Sequence, residues 1–141
     1  LLVFAKRFNP AVVIDAATLT GAIVMGLGHN AVGVFGAERN VVDEVLAAGE
    51  RAGEPGWPLP LWDDYKEQIK SDVADVRQTG GRAAGSITAA LFLRRFVERA
   101  RTYIHFDIFA WTPQARPGSP RGGEAQGIRA LFALIRNRYG K

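Results

Sequence analysis

The 141 residues, of which 48% are hydrophobic, are enough for one domain with a buried core, because domains of about 100–150 residues are the commonest size. The 18 Lys and Arg against 14 Asp and Glu give a net charge of +4, and like charges are scattered, so a nucleic-acid partner is not indicated. The absence of cysteine excludes disulfides and thiolate chemistry and predicts a cytoplasmic protein.

The beginning of the chain is apolar but contains too few apolar residues to span a bilayer, so no membrane partner is expected. Residues 1–5 are typical of the end of a helix, and Asn9-Pro10 then breaks that pattern. We therefore expect a helix that starts upstream and a chain that is a fragment of a longer protein.

The pattern of apolar residues predicts strands alternating with helices. A continuous apolar run predicts a strand that is covered on both faces, whereas apolar residues three or four apart predict a helix. The predicted elements are strands at 11–17 and 31–36, a helix at 40–53, a rigid proline loop at 54–60 that carries Trp57 inward, a short helix at 62–69, a polar loop at 71–86, a long helix at 84–100, a central strand at 102–111, a loop at 113–123 and a helix at 125–138. This order predicts an α/β fold whose mixed sheet is flanked by helices.

The first strand ends in a turn of small and hydroxyl-bearing residues, from Thr18 to Gly21. Ligands of such sheets gather at the carboxyl ends of strands, and Gly21 lacks a Cβ, so another backbone can approach it closely. One interpretation is therefore a docking site for a peptide-like ligand. The other is an ordinary exit from a strand, with Thr and Gly chosen for turn chemistry.

The glycine-rich segment at 80–86 leads directly into the longest helical pattern. A loop that feeds a helix amino terminus is the arrangement that binds anions such as phosphate. The alternative is a surface loop with a normal helix cap.

No self-sufficient catalytic set occurs in the sequence, because His29 and His105 have no metal-ligand spacing. His105, inside an apolar strand, is expected to be a hydrogen-bonded interior residue. Asp15 and Asp107 each lie near the end of an apolar strand, where a buried acid needs a partner. Metal ligation and hydrogen bonding to the adjoining loops are both open for these acids on the residues alone.

Several segments carry a more specific pattern, in the same order along essentially the whole chain. They are Asp15-Ala16-Ala17-Thr18-Leu19-Thr20-Gly21-Ala22, Trp57-Pro58-Leu59-Pro60-Leu61-Trp62-Asp63, Ser71-Asp72-Val73-Ala74-Asp75, Gly80-Gly81-Arg82-Ala83-Ala84-Gly85-Ser86-Ile87 and His105-Phe106-Asp107-Ile108. Together they resemble the leucyl (cytosol) aminopeptidases. The resemblance implies that residues 1–141 are the carboxyl-terminal portion of that family's catalytic domain.

By this resemblance the intact protein is a metal-dependent aminopeptidase, a homo-hexamer that hydrolyses amino-terminal residues from peptide substrates. Two divalent metal ions, zinc or manganese, would activate the attacking water. The family's Asn-Thr-Asp-Ala-Glu-Gly-Arg motif and its lysine-bearing segment do not occur in these residues. The metal ligands are therefore expected upstream of residue 1, with none in this chain, which alone is expected to be inactive.

The resemblance also implies which residues contact the substrate: Thr18, Leu19, Gly21, Thr79, Phe109 and Thr112. The Leu19 carbonyl and the Gly21 amide would face the peptide, and Thr18 would border the pocket for its first side chain. In the family pattern neither Asp15 nor Asp107 is a metal ligand, which favours hydrogen bonding for both.

Phe109 and Thr112 match positions that line the first pocket, and Thr79 matches the pocket for the second residue. The aromatic ring of Phe109 is expected to narrow the first pocket. The alternative function is a non-enzymatic or phosphate-binding α/β module that uses the loop at 80–86.

Overall fold

A four-stranded mixed sheet forms the centre of the computed structural model, which describes residues 1–97 and 100–140. The strands are β1 (Val12–Ala17), β2 (Val32–Gly36), β3 (Gly56–Leu59) and β4 (Thr102–Asp107), in the spatial order β1-β4-β2-β3. β4 is parallel to β1 and antiparallel to β2, and β2 is parallel to β3. The predicted α/β fold with a mixed sheet is confirmed.

Helices flank this sheet, and a short hairpin follows β4. The helices are α1 (Leu2–Ala5), α2 (Gly21–Leu27), α3 (Arg39–Ala52), α4 (Gly85–Arg94) and α5 (Ile128–Tyr139), with 3-10 helices at Lys6–Phe8 and Asp63–Ile69 and a hairpin of β5 (Trp111–Thr112) and β6 (Gly122–Gly123). None of the helices in the described part of the chain has the length and apolar character needed to cross a membrane.

β4 is the central strand, as predicted, and all six of its residues are buried. Its register with β1 runs from Val12 opposite Thr102 to Ala17 opposite Asp107. Because the two strands are parallel and in step, their carboxyl ends meet at one edge of the sheet, here called the rim. β2 begins at the same rim, since Gly33 lies opposite Asp107.

The main core lies between one face of the sheet and helices α3 and α5. Its largest buried residues are Phe106, Ile104, Val34, Val45 and Leu134. Burying side chains of this size stabilises a fold by about 1.5–3 kcal/mol each. A smaller cluster of Val13, Tyr103 and Val97 covers the opposite face, where α4 contacts β4. Side chains at alternating positions of β4 therefore enter two different apolar layers.

The helix α2 was not predicted, because Gly26 and Gly28 interrupt a short apolar run. Thr20 caps the helix, and its hydroxyl accepts a hydrogen bond from the Ile23 amide at 3.1 Å. Gly28 ends it with a φ of 73°. The glycines correctly marked where α2 ends. The helix itself was missed because about two turns are too short to show a helical period.

The helix predicted at 84–100 is shorter in the structure, where α4 spans Gly85–Arg94. The amides of Phe96 and Val97 bond to carbonyls three residues back, which tightens the chain into turns and ends the regular helix. Positions 98 and 99 of the prediction lie outside the described residues.

The strand predicted at 102–111 is regular only to Asp107. Ala110 adopts a left-handed backbone with a φ of 53°, which a strand cannot contain. Trp111 and Thr112 then pair with Gly122 and Gly123 in the hairpin. The segment between β4 and β5 is thus a turn at the rim.

The prediction that residues 54–60 form no regular element is wrong, because β3 occupies Gly56–Leu59. The Val32 amide bonds to the Pro55 carbonyl, so the alternation along the strand turns the backbone of Pro58 away from β2. β3 is an edge strand, and a proline there removes only a donor that no neighbouring strand uses.

The expected inward position of Trp57 is also wrong, since this side chain is 63% exposed. The edge strand β3 leaves one of its faces uncovered. Trp57 lies on that face and lines an open groove together with residues of α2 and the amino-terminal end of α4.

Candidate substrate site at the rim

The turn after β1 is held by the carboxylate of Asp107 at the end of β4. Asp107 Oδ1 accepts hydrogen bonds from the Leu19 and Thr20 amides at 3.3 Å each. Asp107 Oδ2 accepts the Thr20 hydroxyl at 2.6 Å. The acid is fully buried, and both of its oxygens are satisfied by the turn. The interpretation of Asp107 as a hydrogen-bond acceptor that shapes the loop is confirmed.

The Thr20 hydroxyl joins three elements at one point. Since it donates to Asp107, it accepts from the Ser86 hydroxyl at 2.9 Å and from the Ile23 amide at 3.1 Å. Ser86 lies in the first turn of α4 and is buried. The sequence predicted no specific role for Thr20 or Ser86. For Thr20 a signal was present, because a Thr directly before an apolar run is typical of a helix cap.

The residues predicted to face the peptide lie along this turn. Thr18 and Leu19 are exposed, and Leu19 retains 40% of its accessible surface. Gly21 opens α2, so its amide has no carbonyl acceptor within the helix. Among the described residues, and apart from the adjacent residues and the backbone of α2 itself, no heavy atom lies within 4 Å of the place that a Cβ on Gly21 would occupy. The turn therefore presents exposed backbone beside open space.

Phe109 and Thr112 lie in the turn and hairpin that follow β4. The Phe109 ring stacks on His29, with centroids 4.3 Å apart and planes 20° apart. Thr112 is buried, and its hydroxyl donates to Glu124 Oε2 at 2.7 Å. This hydrogen bond, with smaller contributions from Ser119 and nearby arginines, holds the pKa of the Glu124 carboxyl below its ordinary value.

Thr79 lies in the exposed loop that precedes α4. The next residue, Gly80, packs so closely on Thr88 of α4 that a Cβ would lie 2.9 Å from the Thr88 hydroxyl. The Gly81 amide donates to Gln68 Oε1 at 3.2 Å. The glycines of this loop thus allow close packing, and the Ser86 hydroxyl is already bonded to Thr20. Both observations disfavour the phosphate-binding alternative.

Gln126 is a further residue of the rim that the sequence did not indicate. Its Oε1 accepts the amides of Phe109 at 3.0 Å and Ala110 at 2.8 Å, and its Nε2 donates to the His29 carbonyl at 2.7 Å. A single glutamine in a glycine-rich segment has no spacing that reveals contacts with two distant loops.

Asp15 and His105 form a second polar pair, inside the ladder of β1 and β4. His105 is fully buried and donates from Nδ1 to Asp15 Oδ1 at 2.7 Å, as expected for an interior histidine. Burial raises the pKa of the neighbouring Tyr103, and the Asp15 carboxylate adds to the rise. Asp15 Oδ2 and His105 Nε2 are buried without a hydrogen-bond partner among the described residues.

The described residues do not fit a metal site. Across 1–97 and 100–140, no three His, Asp or Glu side chains converge in a way that holds a metal ion. Both carboxylate oxygens of Asp107 accept hydrogen bonds from the turn, and Asp15 is bonded to His105. The rim therefore presents exposed backbone groups and hydroxyls, without a cluster of metal ligands among the described residues.

Comparison with known proteins identifies the family. The family model described as "Cytosol aminopeptidase family, catalytic domain" matches residues 1–132. Probable cytosol aminopeptidases of Geobacter sp. (strain M21) and Syntrophotalea carbinolica are 47% and 48% identical over 96% and 95% of this chain. A crystal structure of the cytosol aminopeptidase from Coxiella burnetii superposes with a TM-score of 0.91 at 40% identity over 98% of the chain.

The share of each relative that is matched is much smaller. This chain spans 28% and 27% of the length of those two relatives and 30% of the Coxiella burnetii chain. The enzyme interpretation agrees with these matches, whereas the non-enzymatic module does not. The chain belongs to the cytosol aminopeptidase family, as a part of its catalytic domain.

Proposed function

We propose that the whole protein is a metal-dependent aminopeptidase and that this chain supplies the walls of its peptide site. The observation that carries the proposal is the turn held by Asp107, which has exposed backbone groups at the rim beside the Gly21 amide, for which α2 offers no acceptor. A fixed turn of this kind binds a peptide backbone without having to be ordered first, which favours affinity.

In this proposal the Leu19 carbonyl accepts a hydrogen bond from the substrate, and the Gly21 amide donates one to it. Thr18, Phe109 and Thr112 surround the side chain of the amino-terminal residue. Because the Thr112 hydroxyl is engaged with Glu124, its contribution to the pocket is its methyl group and backbone. The result is a peptide held in one orientation, which lowers the entropic cost of the reaction.

Thr79 completes the proposed site as a wall of the pocket for the second residue. It is exposed on the loop before α4, and Ser86 of that helix bonds to Thr20 of the turn at the rim. The metal chemistry belongs to other residues, since those described here do not form a ligand cluster. We assign two zinc or manganese ions to the part of the relatives that this chain does not match.

The remaining properties proposed for the whole protein follow the family. The relatives are named cytosol aminopeptidases, which supports a cytoplasmic location. A homo-hexamer is proposed from the resemblance to the family, and this chain by itself is expected to hydrolyse nothing.

The Gly21 amide offers the sharpest test in the full-length protein. Gly21→Pro removes the amide hydrogen at the first position of α2, where proline is tolerated in helices. Thr20 already has an extended backbone, with φ −130° and ψ 140°, which suits a residue before proline. Gly21→Ala is the control for the amide, because it keeps the N–H and its Cβ meets no atom of the described residues outside α2 and the adjacent residues, and its kcat/KM relative to the parent measures any hindrance of the approaching peptide by the Cβ.

We expect Gly21→Pro to lower kcat/KM for a leucyl anilide at least about tenfold relative to Gly21→Ala, equivalent to about 1.4 kcal/mol of lost binding. Both variants should keep the melting temperature of the parent. Equal kcat/KM values for the two variants would show that the Gly21 amide does not bind the substrate.

A further inference from the structure

The side chain of Gln126 bonds to two loops that are distant in sequence. Its carbonyl oxygen receives the consecutive amides of Phe109 and Ala110, and its NH₂ group donates to the His29 carbonyl. The three distances are between 2.7 and 3.0 Å. The primary amide is suited to this task, because it offers an acceptor with two lone pairs and a donor at its two ends.

The turn at Phe109 and Ala110 needs support from outside its own residues. Ala110 has a φ of 53°, a left-handed backbone that is unfavourable for a residue with a Cβ. Two successive amides that point to the same side need one external acceptor, and Gln126 Oε1 provides it. The Ala110 carbonyl is fixed as well, since it accepts the Glu124 amide at 3.0 Å.

Gln126 also brings together the two aromatic rings of this region. Phe109 and His29 stack at 4.3 Å, and Gln126 bonds to the backbone of each. Phe109 is two residues from Asp107, which holds the turn after β1. The position of the Phe109 ring at the rim is therefore set by a side chain from the segment before α5.

We propose that Gln126 is a positioning residue for substrate selectivity. It fixes the backbone of Phe109 and Ala110, so that the Phe109 ring stays against His29 as a rigid wall of the pocket for the amino-terminal side chain. This inference rests on the proposed function, which places Phe109 in that pocket. Without Gln126 the wall moves, and the enzyme accepts bulky amino-terminal side chains more readily relative to small ones.

The test compares three variants of the full-length protein. Gln126→Met preserves the length of the side chain and removes all three hydrogen bonds. Gln126→Glu keeps the acceptor for the two amides and loses the donor to His29. Gln114→Met, in the exposed loop between β5 and β6, is the matched control.

Two measurements are made on each variant. Hydrogen–deuterium exchange followed by mass spectrometry reports on peptides that contain residues 108–112, and kcat/KM is measured for alanyl and phenylalanyl anilides. We expect Gln126→Met to speed exchange in those peptides at least about tenfold and to shift the ratio of phenylalanyl to alanyl kcat/KM about fivefold or more. Gln126→Glu should restore part of the exchange protection.

A second background shows whether Gln126 acts through Phe109. In Phe109→Ala, the further change Gln126→Met should leave the selectivity ratio unaltered, because the wall is already gone. If Gln126→Met alters selectivity equally in both backgrounds, the proposed route through Phe109 is wrong.

The failures of the two proposals are distinguishable. If the parent enzyme cleaves peptides and Gln126→Met leaves the selectivity ratio unchanged, the positioning role is overturned while the proposed function stands. If the full-length parent, supplied with zinc or manganese, cleaves no peptide, both proposals are overturned.

Discussion

Two acids on the same face of neighbouring strands have different fates in this fold. Asp107 ends β4 and binds two backbone amides and a hydroxyl of the turn after β1. Asp15 lies inside β1, opposite His105, and among the described residues it accepts one hydrogen bond, from that ring. Both oxygens of Asp107 are bonded, whereas Asp15 Oδ2 has no hydrogen-bond partner in the part of the chain that the structure describes.

The difference follows from where each acid lies along its strand. Within the ladder the backbone amides lie in the plane of the sheet, whereas the Asp15 side chain stands on one face, so its carboxylate finds its donor on a neighbouring side chain. At the rim the chain leaves the sheet, and its free amides fold over Asp107. An acid at the end of a strand can therefore shape a loop, whereas an acid in the middle can only pair within the core.

The largest effect is expected from Asp107→Ala. This change leaves two amides and the Thr20 hydroxyl without their acceptor, which should lower the free energy of unfolding by about 3–5 kcal/mol. Urea denaturation monitored by circular dichroism measures the loss. Asp72→Ala in the exposed loop before α4 serves as control and should change stability little. A loss for Asp107→Ala as small as that of the control would remove the basis of the comparison.

A smaller effect is expected at Asp15, whose carboxylate accepts one hydrogen bond within residues 1–97 and 100–140. Asp15→Ala should lower the free energy of unfolding by about 1–3 kcal/mol, because the buried His105 Nδ1–H loses its acceptor. Asp15→Asn keeps an acceptor for that group and should lose less, as measured by the same denaturation experiment. Equal losses for the two substitutions would show that the charge of Asp15, not its hydrogen bond, stabilises the pair.

The smallest effect concerns Glu124, an acid at the rim whose main partner is the Thr112 hydroxyl. Thr112→Val removes that donor, so the pKa of Glu124 should rise toward its ordinary value of 4.5, while Ser119 and nearby arginines retain part of the shift. Thr112→Ser keeps the hydroxyl and should keep the lowered pKa. Carbon-detected NMR titration of the Glu124 carboxyl group measures both.

The direction of the accompanying pH dependence follows from the lowered pKa of Glu124. A carboxyl whose pKa is lower in the folded state stabilises the fold above its unfolded value of about 4.5, and this contribution is lost as the pH falls through the folded pKa. In Thr112→Val the contribution shrinks, so acid should destabilise the variant less steeply. An unchanged pKa in Thr112→Val would mean that the hydroxyl is not the main cause.

The strands and long helices could be predicted because their signals are local. The buried apolar runs of β1, β2 and β4 and the helical spacing in α3 and α5 need no knowledge of neighbours. β3 was missed because the cost of Pro58 depends on whether another strand pairs with its outer side. That information exists only in the assembled sheet.

The candidate site divides in the same way. The exposed turn from Thr18 to Gly21 was identified from its own residue types. The role of Asp107 was open on the residues alone, and the family resemblance favoured hydrogen bonding, but only the structure identifies Thr20, 87 positions away in the sequence, as its partner. Gln126 had no sequence signal at all, because its three hydrogen bonds connect segments that only the fold brings together.

Pro58 makes the two edges of the sheet unequal in their capacity to pair with a further strand. On the β3 side, proline removes an outward donor from a strand of four residues, so an incoming strand finds an incomplete ladder there. On the β1 side, six residues without proline present outward amides and carbonyls at every second position. Beside them an apolar groove opens between β1 and α5, lined by Val12, Ile14, Leu134 and Ile135. The distribution of edge donors and apolar surface in the described residues therefore favours pairing of a further strand with β1 over pairing with β3.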